Sequence, residues 1–191
     1  AIRFPDHSRV ILNTNSSVSY SKYWWNRKVK LQGDAYFEVE KGKKFIVKTK
    51  EGEISVMGTR FQVCENNNKL VVSCYEGMVR LKCGTHDQPI GAGFSVEYGK
   101  NKRPVLSTIQ MKYPEFARFK RNFSGEELRQ VIAAVEEFFQ IRIQLATTGH
   151  KYFSGNIETA EAETVVRIIC RSLDLNYMID PNRNIIINDK N

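Results

Sequence analysis

The stretch FIVKTKEGEISVMGTRFQV, residues 45–63, contains three short runs of β-branched and aromatic residues separated by turn residues. Apolar and polar side chains alternate from Phe45 to Thr49, and Glu51-Gly52 supplies a turn. The same pattern continues outward from Val10 to Tyr98, and no run of helical period interrupts it. It predicts strands at 18–20, 29–31, 35–39, 45–48, 54–56, 61–63, 70–74, 79–81 and 94–98. About nine strands at this spacing predict an all-β domain, built as an antiparallel sandwich, a barrel or a β-solenoid.

The last third of the chain has a different pattern. Apolar residues recur at helical spacing from Leu128 to Phe139, and Ser124 with Glu127 fits a capping box at the start of that helix. Thr159 could cap a second amphipathic helix that reaches Leu173. Strand-like runs at 118–123, 141–145, 152–157, 175–179 and 185–187 complete the order βαβ followed by βαββ. We therefore expect two domains: an all-β domain at 1–106, a linker at 107–118, and a small α+β domain of βαβ repeats at 119–191.

Composition and charge limit the function classes. The 191 residues are 41% hydrophobic and 26% charged, which is typical of a folded globular chain. The net charge of +8 lies entirely in residues 1–106, which hold 18 basic and 10 acidic side chains, whereas residues 107–191 hold 11 of each. Such a charge favours an anionic neighbour: a membrane surface, a nucleic acid or an acidic protein. A lysine-rich, solvated sheet surface is the simpler explanation and is favoured over each of these partners. No apolar run approaches the length of a membrane-spanning helix.

The residues that usually carry chemistry are scattered. His7, His86 and His150 lie far apart in the sequence, at no spacing that suits a metal site. No serine or threonine has the elbow or the His and Asp partners of an activated nucleophile. Gly91-Ala92-Gly93 precedes a strand instead of a helix, so it predicts a β-turn and not a phosphate loop. We expect no catalytic residue, no cofactor and no metal.

Four cysteines show no CxxC spacing, and three of them fall within strand-like apolar runs. They are Cys64, Cys74, Cys83 and Cys170. This placement is typical of small core residues. If the chain is exported, the first three could form one disulfide bridge, and the sequence does not say which.

Residues 22–50 combine nine basic and three acidic residues with Tyr23, Trp24, Trp25, Tyr36 and Phe37. Interleaved basic and aromatic residues are found in proteins that bind single-stranded nucleic acid. However, apolar and polar residues alternate from residue 28 to residue 40, which is typical of a half-buried sheet. A nucleic-acid-binding β protein is therefore the alternative function and not the first.

Five short motifs occur in an order and spacing that resemble the periplasmic part of the FecR family. They are residues 12–16, 27–39, 45–49, 56–63 and 75–81. Gly33, Gly58, Thr59, Gly77 and Gly93 belong to these motifs or flank the strands beside them, and positive φ or close backbone approach would require the glycines. Gly91-Ala92-Gly93 stands where the family has a Pro-Gly turn. The tail, with Phe123, Phe138-Phe139 and Phe153-Ser154-Gly155, resembles the family's C-terminal module, which is similar to the short N-terminal domain of secretins and TonB-dependent receptors. This version of the tail looks like that of the Bacteroidetes branch.

The resemblance implies a sensor rather than an enzyme. Family members are single-pass inner-membrane regulators of extracytoplasmic-function sigma factors. A cytoplasmic anti-sigma segment and one transmembrane helix would precede Ala1, and residues 1–191 would lie in the periplasm. Their implied partner is the signalling domain of an outer-membrane TonB-dependent transducer, of the siderophore or SusC type, occupied by a ferric siderophore or a glycan. The sigma factor is the implied partner of the missing cytoplasmic segment, and regulated proteolysis commonly carries the signal.

Two further expectations follow from combining the resemblance with the residues. Residues 119–191 are expected to dock the transducer's similar domain through a strand edge and apolar contacts, with Phe153, Arg183, Ile185, Ile186 and Ile187 as partner-binding residues. In the alternative, 183–189 is an interior strand whose three isoleucines complete the core. The basic first half is expected to lie next to the anionic inner-membrane surface, and no nucleic acid is expected.

Overall fold

The computed structural model describes residues 1–191 except 22, 24–25, 67–68, 100–102, 182–183 and 191. The chain divides into two compact units, Ala1–Ala117 and Arg118–Asn191. Each unit has its own buried apolar cluster. The chain is therefore mostly β in the first unit and mixed α and β in the second.

The first unit contains thirteen strands within the described residues, arranged in two sheets. The strands are β1 (Ile2–Arg3), β2 (Arg9–Leu12), β3 (Ser17–Tyr20), β4 (Lys28–Gln32), β5 (Asp34–Glu38), β6 (Phe45–Lys48), β7 (Glu53–Val56), β8 (Arg60–Asn66), β9 (Lys69–Glu76), β10 (Met78–Cys83), β11 (His86–Gly91), β12 (Phe94–Gly99) and β13 (Val105–Thr108). One sheet has the order β1-β2-β5-β8-β9-β12-β13, and the other has the order β11-β10-β7-β6-β4-β3. All nine predicted runs fall on strands, and only Val39 lies beyond the end of its strand, β5.

The core of the first unit lies between side chains of both sheets. Phe37 of the seven-stranded sheet and Phe45 of the six-stranded sheet are fully buried with ring centroids 6.2 Å apart. Phe37 also stacks on Phe61 of the neighbouring strand at 5.1 Å. Strand pairing is antiparallel except between β4 and β6, which are parallel. The alternation that predicted the strands thus places their apolar sides toward one shared core.

Four strands of the first unit were not predicted, and two of them show why. The β11 sequence contains Pro89 and several polar residues, but the strand pairs along its whole length with β10 and lies at a sheet edge, where proline is tolerated. The β13 strand follows Pro104 and pairs with β12, from Phe94↔Thr108 to Glu97↔Val105. Residues 107 and 108 therefore belong to the sheet, and the predicted linker at 107–118 starts inside a strand.

The second unit contains two helices and five strands in the predicted order. The elements are β14 (Phe119–Glu127), α1 (Leu128–Phe139), β15 (Ile143–Ala146), β16 (Tyr152–Thr159), α2 (Ala162–Ser172), β17 (Leu175–Ile179) and β18 (Ile185–Asp189). Strands β14 and β16 form an antiparallel two-stranded sheet. The other three form a sheet of order β15-β18-β17. The helices bury the apolar faces that the helical spacing predicted, including Val131 and Val135 of α1 and Val166 and Ile169 of α2.

The predicted capping box at Ser124 and Glu127 is wrong. Strand β14 continues through Ser124 to Glu127, and helix α1 begins at Leu128 without a side-chain cap. Gly125 has φ +64°, and its N–H donates to Ser154 Oγ at 2.8 Å. A register shift between Phe123 and Glu126 lets the strand keep its pairing with β16 past this point. Glu126 and Glu127 therefore continue the strand pairing with β16, and no side chain caps the start of α1.

Helix α2 also begins later than predicted. Its N-terminal flanking residue is Glu161, which has no side-chain cap. Thr159 is the last residue of β16, and its hydroxyl accepts a hydrogen bond from the N–H of Glu161 at 3.1 Å. The threonine shapes the turn before the helix instead of capping the helix itself.

Candidate functional site

The described residues contain no group of three or more His, Cys, Asp or Glu side chains placed to hold a metal ion. Of the three histidines, His86 contacts the ring of Tyr98 edge to face, and His150 lies 3.2 Å from a carboxylate oxygen of Glu127 on the surface. None of the three histidines therefore belongs to a metal-ligand group among the described residues.

All four cysteines are free thiols, and three are buried. Burial raises the pKa of Cys74 and of Cys170 to about 11. Because the thiolate is the nucleophilic form, these groups are almost entirely unreactive near neutral pH. The bridge considered among the first three cysteines is not formed. Cys74, Cys83 and Cys170 serve as small core residues.

The motif residues Gly58, Thr59 and Gly77 bind two turns of the first unit together. Gly58 and Gly77 have φ of +135° and +82°, and a Cβ on Gly77 would lie 2.8 Å from the carbonyl oxygen of Gly58. The Thr59 hydroxyl donates to the carbonyl of Met78 at 3.0 Å, and its backbone pairs with Val39. Gly33 and Gly93 have φ of +92° and +85°. The contacts of Gly58, Thr59 and Gly77 therefore support the fold.

The predicted partner-binding residues lie mostly in the core of the second unit. Phe153 is 1% exposed and packs against Phe123 at 5.8 Å between ring centroids. Ile185 and Ile187 are buried, and Ile186 is half-buried on the opposite face of the sheet. Arg183 lies outside the described residues. Phe153, Ile185 and Ile187 therefore stabilise the unit and are not available to a partner.

The prediction that the terminal strand lies at a sheet edge is wrong. Strand β18 pairs in parallel with β15, from Ile143↔Ile185 to Ala146↔Asn188, and antiparallel with β17 on its other side. The backbone N–H and C=O groups on both sides of β18 are therefore engaged in sheet hydrogen bonds. The alternative, an interior strand whose isoleucines complete the core, describes the structure.

The edges of the three-stranded sheet are β15 and β17, and they differ in the size of their exposed apolar side chains. Strand β17 ends with Met178 and Ile179, which are 59% and 48% exposed. Successive residues of a strand point to opposite faces, so these two side chains flank the free edge above and below the sheet. Strand β15 offers Gln144 and Ala146 at its exposed positions instead. An apolar edge is therefore present at β17 and not at β15.

A carboxylate fixes the loop that follows β15. Asp189 Oδ2 accepts hydrogen bonds from the backbone N–H and the hydroxyl of Thr148, at 2.7 and 2.8 Å. The other oxygen lies 3.0 Å from the ammonium of Lys151. These contacts, led by the Thr148 N–H, lower the pKa of Asp189 to about 2. The contacts of Asp189 with Thr148 and Lys151 therefore fix the loop beside β15.

The outer end of β17 is fixed by a second set of contacts. The Tyr177 hydroxyl donates to Glu163 of helix α2 at 3.2 Å, and Asn184 N–H donates to Asp180 in the turn that leads to β18. Contacts with α2 and with β18 thus hold β17, the strand that carries Met178 and Ile179, in place. The sequence indicated this strand but not its position at an edge.

These features define a two-unit, β-rich chain, and the apolar edge of β17 is the candidate site of its second unit. Two models of the FecR family match the sequence: the FecR protein model at residues 1–80 and the FecR C-terminal model at residues 120–187. The chain belongs to the FecR family, which confirms the resemblance seen in the sequence. Within the described residues, neither helix has the length and apolar character needed to span a membrane.

Solved structures share the fold. Two crystal structures of a candidate anti-sigma factor from Parabacteroides distasonis ATCC 8503, at 1.65 and 2.50 Å resolution, are similar to the chain with TM-scores of 0.55. The sequence identities are 19% and 20%, and the similarity covers 100% of this chain and 94% and 93% of theirs. No curated protein matches the sequence significantly.

Proposed function

We propose that this chain is the periplasmic sensor part of a regulator of an extracytoplasmic-function sigma factor. In this proposal, the second unit docks the similar βαβ signalling domain of an outer-membrane TonB-dependent transducer that carries a ferric siderophore or a glycan. Membership of the FecR family and the fold shared with a candidate anti-sigma factor support the class of function. The sigma factor itself would be bound by a cytoplasmic segment, joined to this part by a transmembrane helix that anchors the regulator in the inner membrane.

The observation that carries the docking proposal is the free edge of β17 with Met178 and Ile179 exposed on it. A partner strand that adds to this edge would extend the sheet to the order β15-β18-β17-partner. Backbone hydrogen bonds would supply affinity, and the two flanking side chains would supply apolar contact on both faces. A transient signalling contact of this kind needs less than about 1,200 Å² of buried surface.

The experiment is a calorimetric titration of the full chain with the purified transducer signalling domain. In the test variant, Met178→Ser and Ile179→Thr remove most of the exposed apolar surface of β17 but keep residues that a strand tolerates. Each substitution is expected to weaken binding about tenfold, because each removes about 1 to 2 kcal/mol of apolar burial. A Met57→Ser variant is the control, since Met57 is 68% exposed in the first unit.

The affinities of the double variant and of the control variant decide whether β17 is the interface. If the double variant remains folded by thermal unfolding and binds the transducer domain as tightly as the unmodified chain, β17 is not the interface. If the Met57→Ser variant loses as much affinity as the double variant, the contact is not specific to the second unit. Loss only in the double variant supports the proposal.

A further inference from the structure

The outer face of the six-stranded sheet in the first unit carries a groove lined by lysines and tyrosines. Its volume is about 390 Å³, and its lining includes Tyr20, Tyr23, Lys28, Lys30 and Lys48. Lys28 and Lys30 lie two residues apart on β4 and so share a face, and Lys30 lies directly opposite Lys48 of β6. The three ammonium groups are therefore presented together.

Two of these lysines lack the acidic neighbours that a solvated sheet surface usually provides. Across the part of the chain that the structure describes, no carboxylate pairs with Lys28 or Lys30. Lys48 has Glu53 at 3.8 Å, in a contact that is half exposed. Like charges directly opposite each other on neighbouring strands are unfavourable. An anion bound in the groove would offset this repulsion.

A second group of lysines lies on the loop between β5 and β6, which ends beside the start of β4. Lys41, Lys43 and Lys44 are exposed, and none has an acidic partner among the described residues. The N–H of Ile46 donates to the carbonyl of Arg27 at 2.9 Å, which places the end of this loop beside the start of β4 and Lys28. The loop therefore adds exposed lysines near the start of β4, beside the lysines that line the groove.

The loop is held in shape by a buried arginine. The Arg27 guanidinium donates to the carbonyl of Glu40 at 2.8 Å and to that of Lys43, and it pairs with Asp6 at 2.6 Å. It also lies over the ring of Phe45, 5.6 Å from the centroid. Because Arg27 is buried and fully engaged, the exposed cations of this face are its lysines. The backbone that displays them is fixed before any ligand binds.

We propose that this face binds the anionic headgroups of a lipid bilayer. Lysines bind phosphate as point charges and gain from a surface of many negative groups, whereas base recognition favours the planar fork of arginine. Tyrosine suits the boundary between water and lipid, where its ring is apolar and its hydroxyl is hydrated. The cations are spread over a groove and an adjoining loop, which matches an extended anionic surface better than a single soluble ion.

This inference rests on the proposed placement of the first unit beside the inner membrane and names the residues that would contact it. It concerns β3, β4, β6 and the loop before β6, whereas the docking proposal concerns β17. The two proposals can therefore fail independently. A chain that docks the transducer domain but ignores vesicles overturns only this inference.

The experiment mixes the full chain with vesicles of phosphatidylcholine containing about 30% phosphatidylglycerol, at low and high salt. The only two tryptophans, Trp24 and Trp25, follow Tyr23 in the sequence, so their fluorescence reports on this region, and cosedimentation gives the partition coefficient. We expect binding to the anionic vesicles at low salt, none to pure phosphatidylcholine, and at least a tenfold loss at about 0.5 M salt, where screening shortens the reach of charges.

Two matched pairs of variants locate the contact. Lys28→Gln, Lys30→Gln and Lys48→Gln together should lower the partition coefficient by about a hundredfold, since each lysine contributes about fivefold. Lys112→Gln, Arg129→Gln and Arg171→Gln remove the same charge from exposed positions outside the face and should change it by less than about fivefold. Tyr23→Ser should weaken binding, and Tyr152→Ser should not, although both tyrosines are similarly exposed, at 64% and 60%.

Three results would overturn the inference. The first is no binding to anionic vesicles at low salt. The second is an equal loss in the two triple variants, which would mean that only net charge matters. The third is a single-stranded oligonucleotide, or glycerol phosphate in solution, that binds the unmodified chain through the same lysines while the vesicles do not.

Discussion

Met178 lies directly opposite Ile186 in the antiparallel pairing of β17 with β18. Met178 is 59% exposed, whereas Ile186 is half-buried because β15 covers the other side of its strand. Strand β17 therefore lies at one edge of this sheet, with Met178 exposed on it. The buried isoleucines of β18 belong to the core, and the proposed docking surface lies one strand further out.

The buried ion pair between Arg27 and Asp6 is expected to be important for the stability of the first unit. Arg27→Ala leaves the Asp6 carboxylate, only 14% exposed, without its cation and frees the carbonyls of Glu40 and Lys43. We expect a loss of about 3 to 5 kcal/mol in the free energy of unfolding, measured by denaturant titration. The exposed pair Arg60–Glu76, 3.4 Å apart, is the control, and Arg60→Ala should cost less than about 1 kcal/mol. Similar losses in both variants would contradict this view.

Two glycines with nearly the same backbone angle are expected to respond differently to alanine. Gly93→Ala meets no atom within 4 Å, so only its φ of +85° opposes the change, at a cost of about 1 to 2 kcal/mol. Gly77→Ala has φ +82° and would also place its Cβ 2.8 Å from the Gly58 carbonyl oxygen. We expect Gly77→Ala to be the more destabilising by at least about 1 kcal/mol in thermal or denaturant unfolding. Equal losses of stability in the two variants would show that the turns at Gly58 and Gly77 can move apart to make room for the Cβ.

The second unit is expected to lose stability in acid through Asp189. Its pKa in the folded chain is about 2, below the ordinary value of 3.8, because Thr148 and Lys151 stabilise the carboxylate. The stabilisation is therefore fully present above pH 4 and is lost as the pH falls through 2. Unfolding measured from pH 5 to pH 2 should show a shallower loss in Asp189→Asn than in the unmodified chain. Parallel curves for the two proteins would rule out this role of Asp189.

The buried cysteines are expected to resist thiol reagents. The pKa of about 11 for Cys74 and Cys170, against an ordinary 9.0, lowers the thiolate fraction about a hundredfold at neutral pH. In a timed reaction with a disulfide reagent, followed by mass spectrometry, Cys64 should be modified first because it is the one cysteine that is not fully buried. In denaturant all four should react at similar rates. Rapid modification of Cys74 in the folded chain would contradict this expectation.

Much of the secondary structure follows from local patterns. The alternation from Phe45 to Thr49 and the helical spacing from Leu128 to Phe139 each identify an element, because burial of one face leaves its period in the sequence. The capping box failed for a non-local reason: Glu127 pairs with Tyr152 of β16, and Ser124 lies in the irregularity of that pairing, so strand pairing replaces the cap. Likewise β13 depends on β12 for its pairing, which the residues after Pro104 do not indicate.

The candidate sites were harder to predict for the same reason. Three isoleucines in Ile185–Ile187 fit an edge strand and a central strand equally well, and only the parallel pairing with Ile143–Ala146 decides between them. The basic and aromatic character of residues 22–50 was visible in the sequence. That Lys30 and Lys48 face each other across β4 and β6 was not, because it depends on a parallel register between separate strands.

Hydrogen exchange of the full chain, with and without the transducer signalling domain, tests the central claim most directly. A partner strand on β17 would bond to backbone groups that now face solvent. The amides within residues 175–179 that are not already bonded to β18 should therefore exchange at least tenfold more slowly in the complex, while those of 143–146 on the opposite edge keep their rates. Unchanged exchange at 175–179 in a saturated complex would contradict the account, as would protection confined to residues 143–146.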